Sequence, residues 1–211
     1  MLENIEVLFH SSIRINKGEI IYIDPYKIDK NYNDADIIFV THDHFDHFSE
    51  EDILKVKKED TIIVVTKDLV EKSLNLGFER NSIIDVEPNE LKTIGKIKFK
   101  TIPSYNTNKD FHPKSNGWVG YILEINNVKY YIAGDTDITE ENKKVQCDVA
   151  FVPVGGTYTM NYKEAADLIN IINPKIAVPI HYGSVAGEKE DGQRFVKLLN
   201  SNIEGKVLMS D

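Results

Sequence analysis

Apolar and polar positions change period several times along these 211 residues, and each change marks a short element. Residues 5–9, 13–15 and 19–23 are apolar-rich runs separated by His10-Ser11-Ser12 and by the turn signal Asn16-Lys17-Gly18. They predict three strands joined by short turns, an antiparallel meander. A fourth run, Asp36-Ile37-Ile38-Phe39-Val40, is apolar without alternation, as a buried strand is. Ser49, with Asp52 three positions later, predicts the cap of a helix. Residues 61–65 predict a buried strand and residues 67–76 a helix stopped by Gly77. Between 81 and 102 the chain reads as short strands with turns, the last over 96–102. Residues 118–125 and 128–132 flank Asn126-Asn127 and predict a hairpin. A strand over 148–154, a helix over 162–172 and a strand over 175–180 follow, then a helix over 193–199 and a closing strand over 206–209. Strand-rich halves that each carry helices predict an α/β chain with two sheets.

Composition narrows the classes. A hydrophobic content of 41% supports one sizeable core, and no linker or short-period repeat divides the chain, so one domain over residues 1–211 is expected. No apolar run is long enough to span a bilayer, and Met1-Leu2-Glu3-Asn4 lacks the character of a signal peptide. The single cysteine, Cys147, excludes an intramolecular disulfide framework and fits a reducing cytoplasm. A formal charge of −9 argues against nucleic acid as a partner.

The chemistry concentrates in Thr41-His42-Asp43-His44-Phe45-Asp46-His47, which holds three of the six histidines. It follows the fourth strand directly. At a strand end His42 and His44 point the same way, and a turn brings Asp46 and His47 back beside them. Converging imidazoles and carboxylates suit a borderline divalent ion, with zinc, manganese and iron all compatible. Two later stretches repeat the form of a strand broken at glycine. Tyr130-Tyr131-Ile132-Ala133-Gly134-Asp135 offers a carboxylate, and Val178-Pro179-Ile180-His181-Tyr182-Gly183 offers an imidazole.

The pattern His-x-His-x-Asp-His after a hydrophobic strand resembles the metallo-β-lactamase superfamily, and the resemblance covers nearly the whole chain. It implies a four-layer αββα sandwich. It also implies one or two divalent ions, zinc foremost with manganese or iron as alternatives. One ion would be held by Asp46, His47, Asp135 and His181, the other by His42, His44, Asp135 and one more histidine. The chain departs from the family pattern at that last ligand. Tyr105-Asn106 stands where the family usually offers a histidine, and the nearest one is His112. Three readings stay open: His112 as the ligand, Asn106 as a weak amide ligand, or an incomplete position.

Phe9-His10-Ser11-Ser12, Ile23-Asp24-Pro25, the stretch from Pro103 to Tyr121 and Val154-Gly155-Gly156-Thr157-Tyr158 narrow the resemblance towards the ascorbate-6-phosphate lactonase branch. The implied activity is hydrolysis of an ester, lactone or phosphodiester in a small-molecule substrate by a metal-bound hydroxide. Asp46 orients that nucleophile, and His112 and Tyr158 are further candidates to act on the substrate. Asp24 is a candidate to fix a histidine tautomer, and His10 to sit behind the ligands or line the pocket. A nuclease or phosphodiesterase and a non-catalytic metal-centred sensor are the alternatives. Family members often assemble, which leaves a homo-oligomer open, although no stretch here marks an interface.

Overall fold

The computed structural model describes residues 1–209 and resolves into two compact units, residues 2–87 and 88–208. No helix among the described residues is long and apolar enough to cross a membrane.

Residues 2–87 form a six-stranded sheet in sequence order: β1 (Ile5–Phe9), β2 (Ser12–Asn16), β3 (Ile20–Ile23), β4 (Ala35–Phe39), β5 (Lys57–Thr66) and β6 (Ile83–Val86). The first three strands are the expected antiparallel meander, and β3 to β6 run parallel. Two helices, α1 (Glu50–Val56) and α2 (Val70–Asn75), cover one face, where Tyr22, Ile38, Val40, Ile63 and Val65 pack with Ile53, Val56 and Leu69. Ser49 caps α1 as its sequence predicts, although the Asp52 N–H reaches its hydroxyl at a long 3.4 Å. The Asp52 side chain does more. Its carboxylate accepts from Ser49 Oγ at 2.7 Å, from the Lys27 and Ile28 N–H groups at 2.8 and 3.0 Å, and from Lys55 at 3.0 Å. Burial alone would raise this carboxyl, but those donors hold it below its ordinary value. It thereby fixes the turn that follows Asp24.

Residues 88–208 form a seven-stranded sheet in the order β13-β12-β11-β10-β9-β8-β7. Its strands are β7 (Leu91–Ile94), β8 (Ile97–Pro103), β9 (Val119–Ile125), β10 (Val128–Ile132), β11 (Val149–Pro153), β12 (Ile176–Ile180) and β13 (Glu204–Gly205). Strands β7 to β10 are antiparallel, and β10 to β13 are parallel. The hairpin β9–β10 turns on Asn126 and Asn127 with φ of 51° and 62°, the left-handed pair that a tight two-residue turn requires. Helices α3 (Tyr162–Ile172) and α4 (Asp191–Val196) complete this unit, α3 with a reciprocal capping box between Asn161 and Glu164.

Several expectations shift. The last helix spans Asp191–Val196 rather than 193–199, with Gly192 in its first turn against the Tyr182 ring, where a Cβ would collide. The closing strand is Glu204–Gly205 rather than 206–209. The Lys175 and Ala177 carbonyls accept from Glu204 and Lys206 at 2.9 Å each. The next ladder donor on that side would be Pro179, which has no N–H, so the pairing stops.

Candidate metal centre

Most of the expected site residues lie just beyond strand C-terminal ends, while His10 sits in the β1–β2 turn and His112 in the loop between β8 and β9. In residues 2–87 the ends of β3 and β4 carry Asp24 and the 41–47 turn. Asp24, Thr41, His42, Asp46, His47 and His10 are all buried, and His44 is half-buried. The turn is closed by the His44 carbonyl, which accepts from the His47 and Phe48 N–H groups at 3.0 and 2.7 Å.

Thr41 and Asp24 together decide the histidine tautomers. The Thr41 hydroxyl donates to Asp24 Oδ2 at 2.8 Å, while its N–H donates to Oδ1 at 2.8 Å. Having spent its only proton, the hydroxyl can only accept from His42 Nδ1 at 2.9 Å. His47 Nδ1 likewise donates to Asp24 Oδ2 at 2.7 Å. Both rings therefore carry the proton on Nδ1 and a lone pair on Nε2, the state in which imidazole binds a metal. Burial pushes the Asp24 carboxyl up, against the opposing pull of His47 and Thr41. His44 presents its other nitrogen, with Nδ1 at 3.1 Å from His42 Nε2. Asp46 Oδ2 lies 3.3 Å from His10 Nε2 and 3.6 Å from His47 Nε2.

Residues 88–208 hold the other candidates. Gly134, at φ +65°, turns the chain out of β10 and delivers Asp135. His181 follows β12 in the left-handed region at φ +57°, and a Cβ on Gly155 would collide with its carbonyl. A glycine at 155 is thus what lets the two loops approach. Asp135 Oδ2 lies 3.0 Å from His181 Nε2 and 3.3 Å from His112 Nε2. Asn106 is engaged with His112 and with Tyr158. Its Oδ1 accepts from the His112 backbone N–H and faces His112 Nδ1, each at 3.0 Å, while its Nδ2 donates to the Tyr158 carbonyl at 2.9 Å. The amide orientation is fixed by these partners, and it puts the His112 proton on Nδ1 and the lone pair on Nε2.

These separations test the fit of a divalent ion. Bonds of roughly 2.0–2.1 Å in a tetrahedral sphere put neighbouring donor atoms about 3.3 Å apart. The His42–His44, His112–Asp135 and His181–Asp135 pairs, at 3.1, 3.3 and 3.0 Å, have that spacing. With Nδ1–H committed to Asn106, the His112 lone pair faces a carboxylate oxygen, and two acceptors at this distance suit a cation or a proton shared between them. The residues fit the group.

Sequence reasoning missed several supporting groups. Besides Thr41 and Asn106, Asp137 anchors the loop that carries His112. Its carboxylate accepts from the Thr107 N–H at 2.9 Å and from Lys109 at 2.6 Å, and its N–H reaches the Tyr105 carbonyl at 3.0 Å. The signal was visible as a second aspartate two positions after Asp135. Tyr158 is half-buried with its ring edge-on to Phe111 at 4.8 Å. Burial pushes the half-buried Cys147 thiol up to about 12, so it is no thiolate nucleophile at neutral pH.

The comparisons with known proteins agree in kind. The family described as the β-lactamase superfamily domain matches residues 4–181. A UPF0173 protein of Pyrococcus abyssi is 31% identical over 180 residues, which cover 83% of this chain and 81% of that protein. A UPF0173 metal-dependent hydrolase of Thermococcus onnurineus is 28% identical over 218 residues, covering 97% and 95%. Among solved structures, a candidate metal-dependent hydrolase from Parabacteroides distasonis matches at 30% identity with a TM-score of 0.82, over 97% of this chain and 91% of that one. A metallo hydrolase from Ignicoccus hospitalis shares the fold at 20% identity and a TM-score of 0.79, over 96% and 93%. The α/β fold class of the metallo-β-lactamase type is therefore met. With a match that runs from the first strand to His181, the chain belongs to the metallo-β-lactamase superfamily and stands beside the UPF0173 proteins within it.

Proposed function

We propose that this protein is a metal-dependent hydrolase acting on an ester, lactone or phosphodiester of a small molecule. Its ligands are His42, His44, Asp46, His47, His112, Asp135 and His181, serving one or two divalent ions, with zinc ahead of manganese and iron. The observation that carries the reading is Asp135 Oδ2, set at 3.0 and 3.3 Å from two imidazole nitrogens, one of them committed as an acceptor by Asn106.

A bound divalent ion supplies an acidified water and stabilisation of the oxyanion that forms on the substrate. The chain's own residues supply the rest. Asp46 orients the attacking water and accepts its proton, with His10 held 3.3 Å from the carboxylate. Thr41, Asp24 and Asn106 keep three imidazoles in the tautomer that ligation needs. Tyr158 is the candidate hydrogen-bond donor to the substrate oxygen. The names of the UPF0173 relatives support hydrolysis as the reaction class. Resemblance to the ascorbate-6-phosphate lactonase branch favours a lactone or carboxylic ester over a phosphodiester, and the charge of −9 weighs against a nucleic-acid substrate.

Metal content per chain tests this, on wild type and on His112→Ala prepared without chelator. Two equivalents falling to one in the variant make His112 a ligand. One equivalent in both leaves a single-ion site at Asp46, His47, Asp135 and His181. Absence of bound metal after loading with Zn²⁺ and Mn²⁺ overturns the proposal. Turnover of an ester, lactone or phosphodiester panel, abolished in Asp46→Ala and Asp135→Ala, separates an enzyme from a metal-centred sensor.

A further inference from the structure

The chain has ten tyrosines, nine phenylalanines and one tryptophan, and nearly all are withdrawn from water. Among the described residues only two aromatic side chains are exposed, Phe45 at 66% and Phe111 at 48%. Both are immediate neighbours of proposed ligands. Phe45 stands between His44 and Asp46, and Phe111 precedes His112. Chance exposure at loop tips would scatter such rings over the many loops of this fold. Here each unit places its one exposed aromatic beside its own imidazoles.

Phe45 is exposed without being loose. Its backbone lies inside the turn closed by the His44 carbonyl, and its ring packs edge-on to Tyr26 at 5.9 Å and 80°. Tyr26 packs in turn against Phe9 at 5.9 Å and 61°. The Lys27 ammonium lies 4.4 Å from the Phe9 centroid and 5.7 Å from that of Tyr26. Lys27 holds a left-handed φ of +50°, and its N–H is tied to Asp52 at 2.8 Å, so the backbone aims it there. Among the described residues no carboxylate lies within ion-pair distance of that ammonium. In residues 88–208 the second ring, Phe111, rests edge-on against Tyr158 at 4.8 Å and 84°. The cation nearest to it in sequence, Lys109, is already engaged by Asp137 at 2.6 Å.

We infer that the substrate carries an apolar acyl or aryl body bearing a negative charge, with Phe45, Tyr26 and Phe9 as its platform and Lys27 as the counter-charge. This rests on the reading that the adjacent histidines and aspartates form the hydrolytic centre, and it names the substrate class that centre takes. A rigid exposed ring removes apolar substrate surface from water without a further ordering cost. An ammonium held over aromatic rings without a carboxylate partner is available to an anionic group.

Calorimetric titration of the metal-loaded protein with octanoate, acetate and octanamide tests this independently of turnover. Octanoate is expected to bind at least about 30-fold more tightly than acetate, since each buried methylene contributes up to roughly fourfold. Any carboxylate–metal contact is common to both acids and cancels in that ratio. Phe45→Ala should cut the ratio about tenfold and Phe45→Trp should keep it. Lys27→Gln should abolish the preference for octanoate over octanamide beyond what the metal contributes. Equal binding of octanoate and acetate by wild type overturns the inference, as does a ratio unchanged in Phe45→Ala. If octanoate binds as expected but no ester is hydrolysed, the platform stands and the hydrolase reading falls. If esters are hydrolysed with no preference for an apolar body, the hydrolase stands and the platform falls.

Discussion

Thr41 shows how much one hydroxyl can determine. It is fully buried, gives its proton to Asp24 and accepts from His42, so a single rotor sets the state of one ligand and supports the carboxylate that orients another, His47. Thr41→Val keeps the shape and removes the hydroxyl, leaving a buried carboxylate short of a donor at a cost of about 1–3 kcal/mol. It should also weaken metal binding by about 10- to 100-fold, as loss of ligand-orienting partners does, and Thr41→Ser should restore both. Chelator competition and urea unfolding measure the two effects. Asn106→Leu should lower affinity similarly while Asn106→Asp, which keeps the acceptor towards His112 Nδ1, should not; equal losses in the two would show that the Nδ2 donation to the Tyr158 carbonyl, and not the acceptor towards His112, is what matters. Neither residue's role in orienting an imidazole was legible in the sequence. Histidines and aspartates at strand ends are rare enough to stand out, but threonine and asparagine are common in turns. The Asn106–His112 contact exists only because the loop closes on itself, through the Asn106 N–H to the His112 carbonyl at 2.9 Å.

Among elements, legibility followed local chemistry. The Asn126-Asn127 hairpin and the capping box of α3 are encoded within a few residues and appear where the sequence puts them. Strand β5 is longer than its apolar stretch, beginning at Lys57 through four charged residues that no strand pattern would include. There the pairing with β4, shifted between Ala35 and Ile37, overrides propensity. The short β13 depends on a proline two strands' worth of chain earlier, which no local pattern near residue 206 could reveal. Helix α1 offers a test at this scale. Asp52 is held below its ordinary pKa by its donors, so its contribution to stability is complete above the unfolded value of about 4 and is lost as pH falls through the lower folded value. Asp52→Asn turns an NH₂ towards backbone donors and should cost about 1–3 kcal/mol at pH 7. The gap between variant and wild type should narrow in urea unfolding below about pH 4; a gap that stays constant with pH would mean that the carboxylate charge contributes nothing.

For the molecule as a whole, the proposed ligands are drawn from residues 42–47 and from 112, 135 and 181, which fall in different compact units. A centre that uses both sets makes metal binding a term in the stability of the entire chain, because the unfolded chain offers no preformed site. An ion at 100 times its dissociation constant adds about 2.7 kcal/mol. For a chain of this length that corresponds to a rise in Tm of about 5–10 °C per ion. Calorimetric scans of chelator-treated and metal-loaded protein should show that rise, and a single transition in the loaded form. His112→Ala separates the alternatives, since a His112 ligand predicts about half the metal-dependent rise and an orienting role outside the metal sphere predicts most of it retained. A loaded protein whose two units melt in separate steps, with metal shifting only one of them, would place the ion within a single unit. That result would leave Asp135, His112 and His181 as one site and return the 42–47 cluster to an independent role, in spite of the donor spacing found in each.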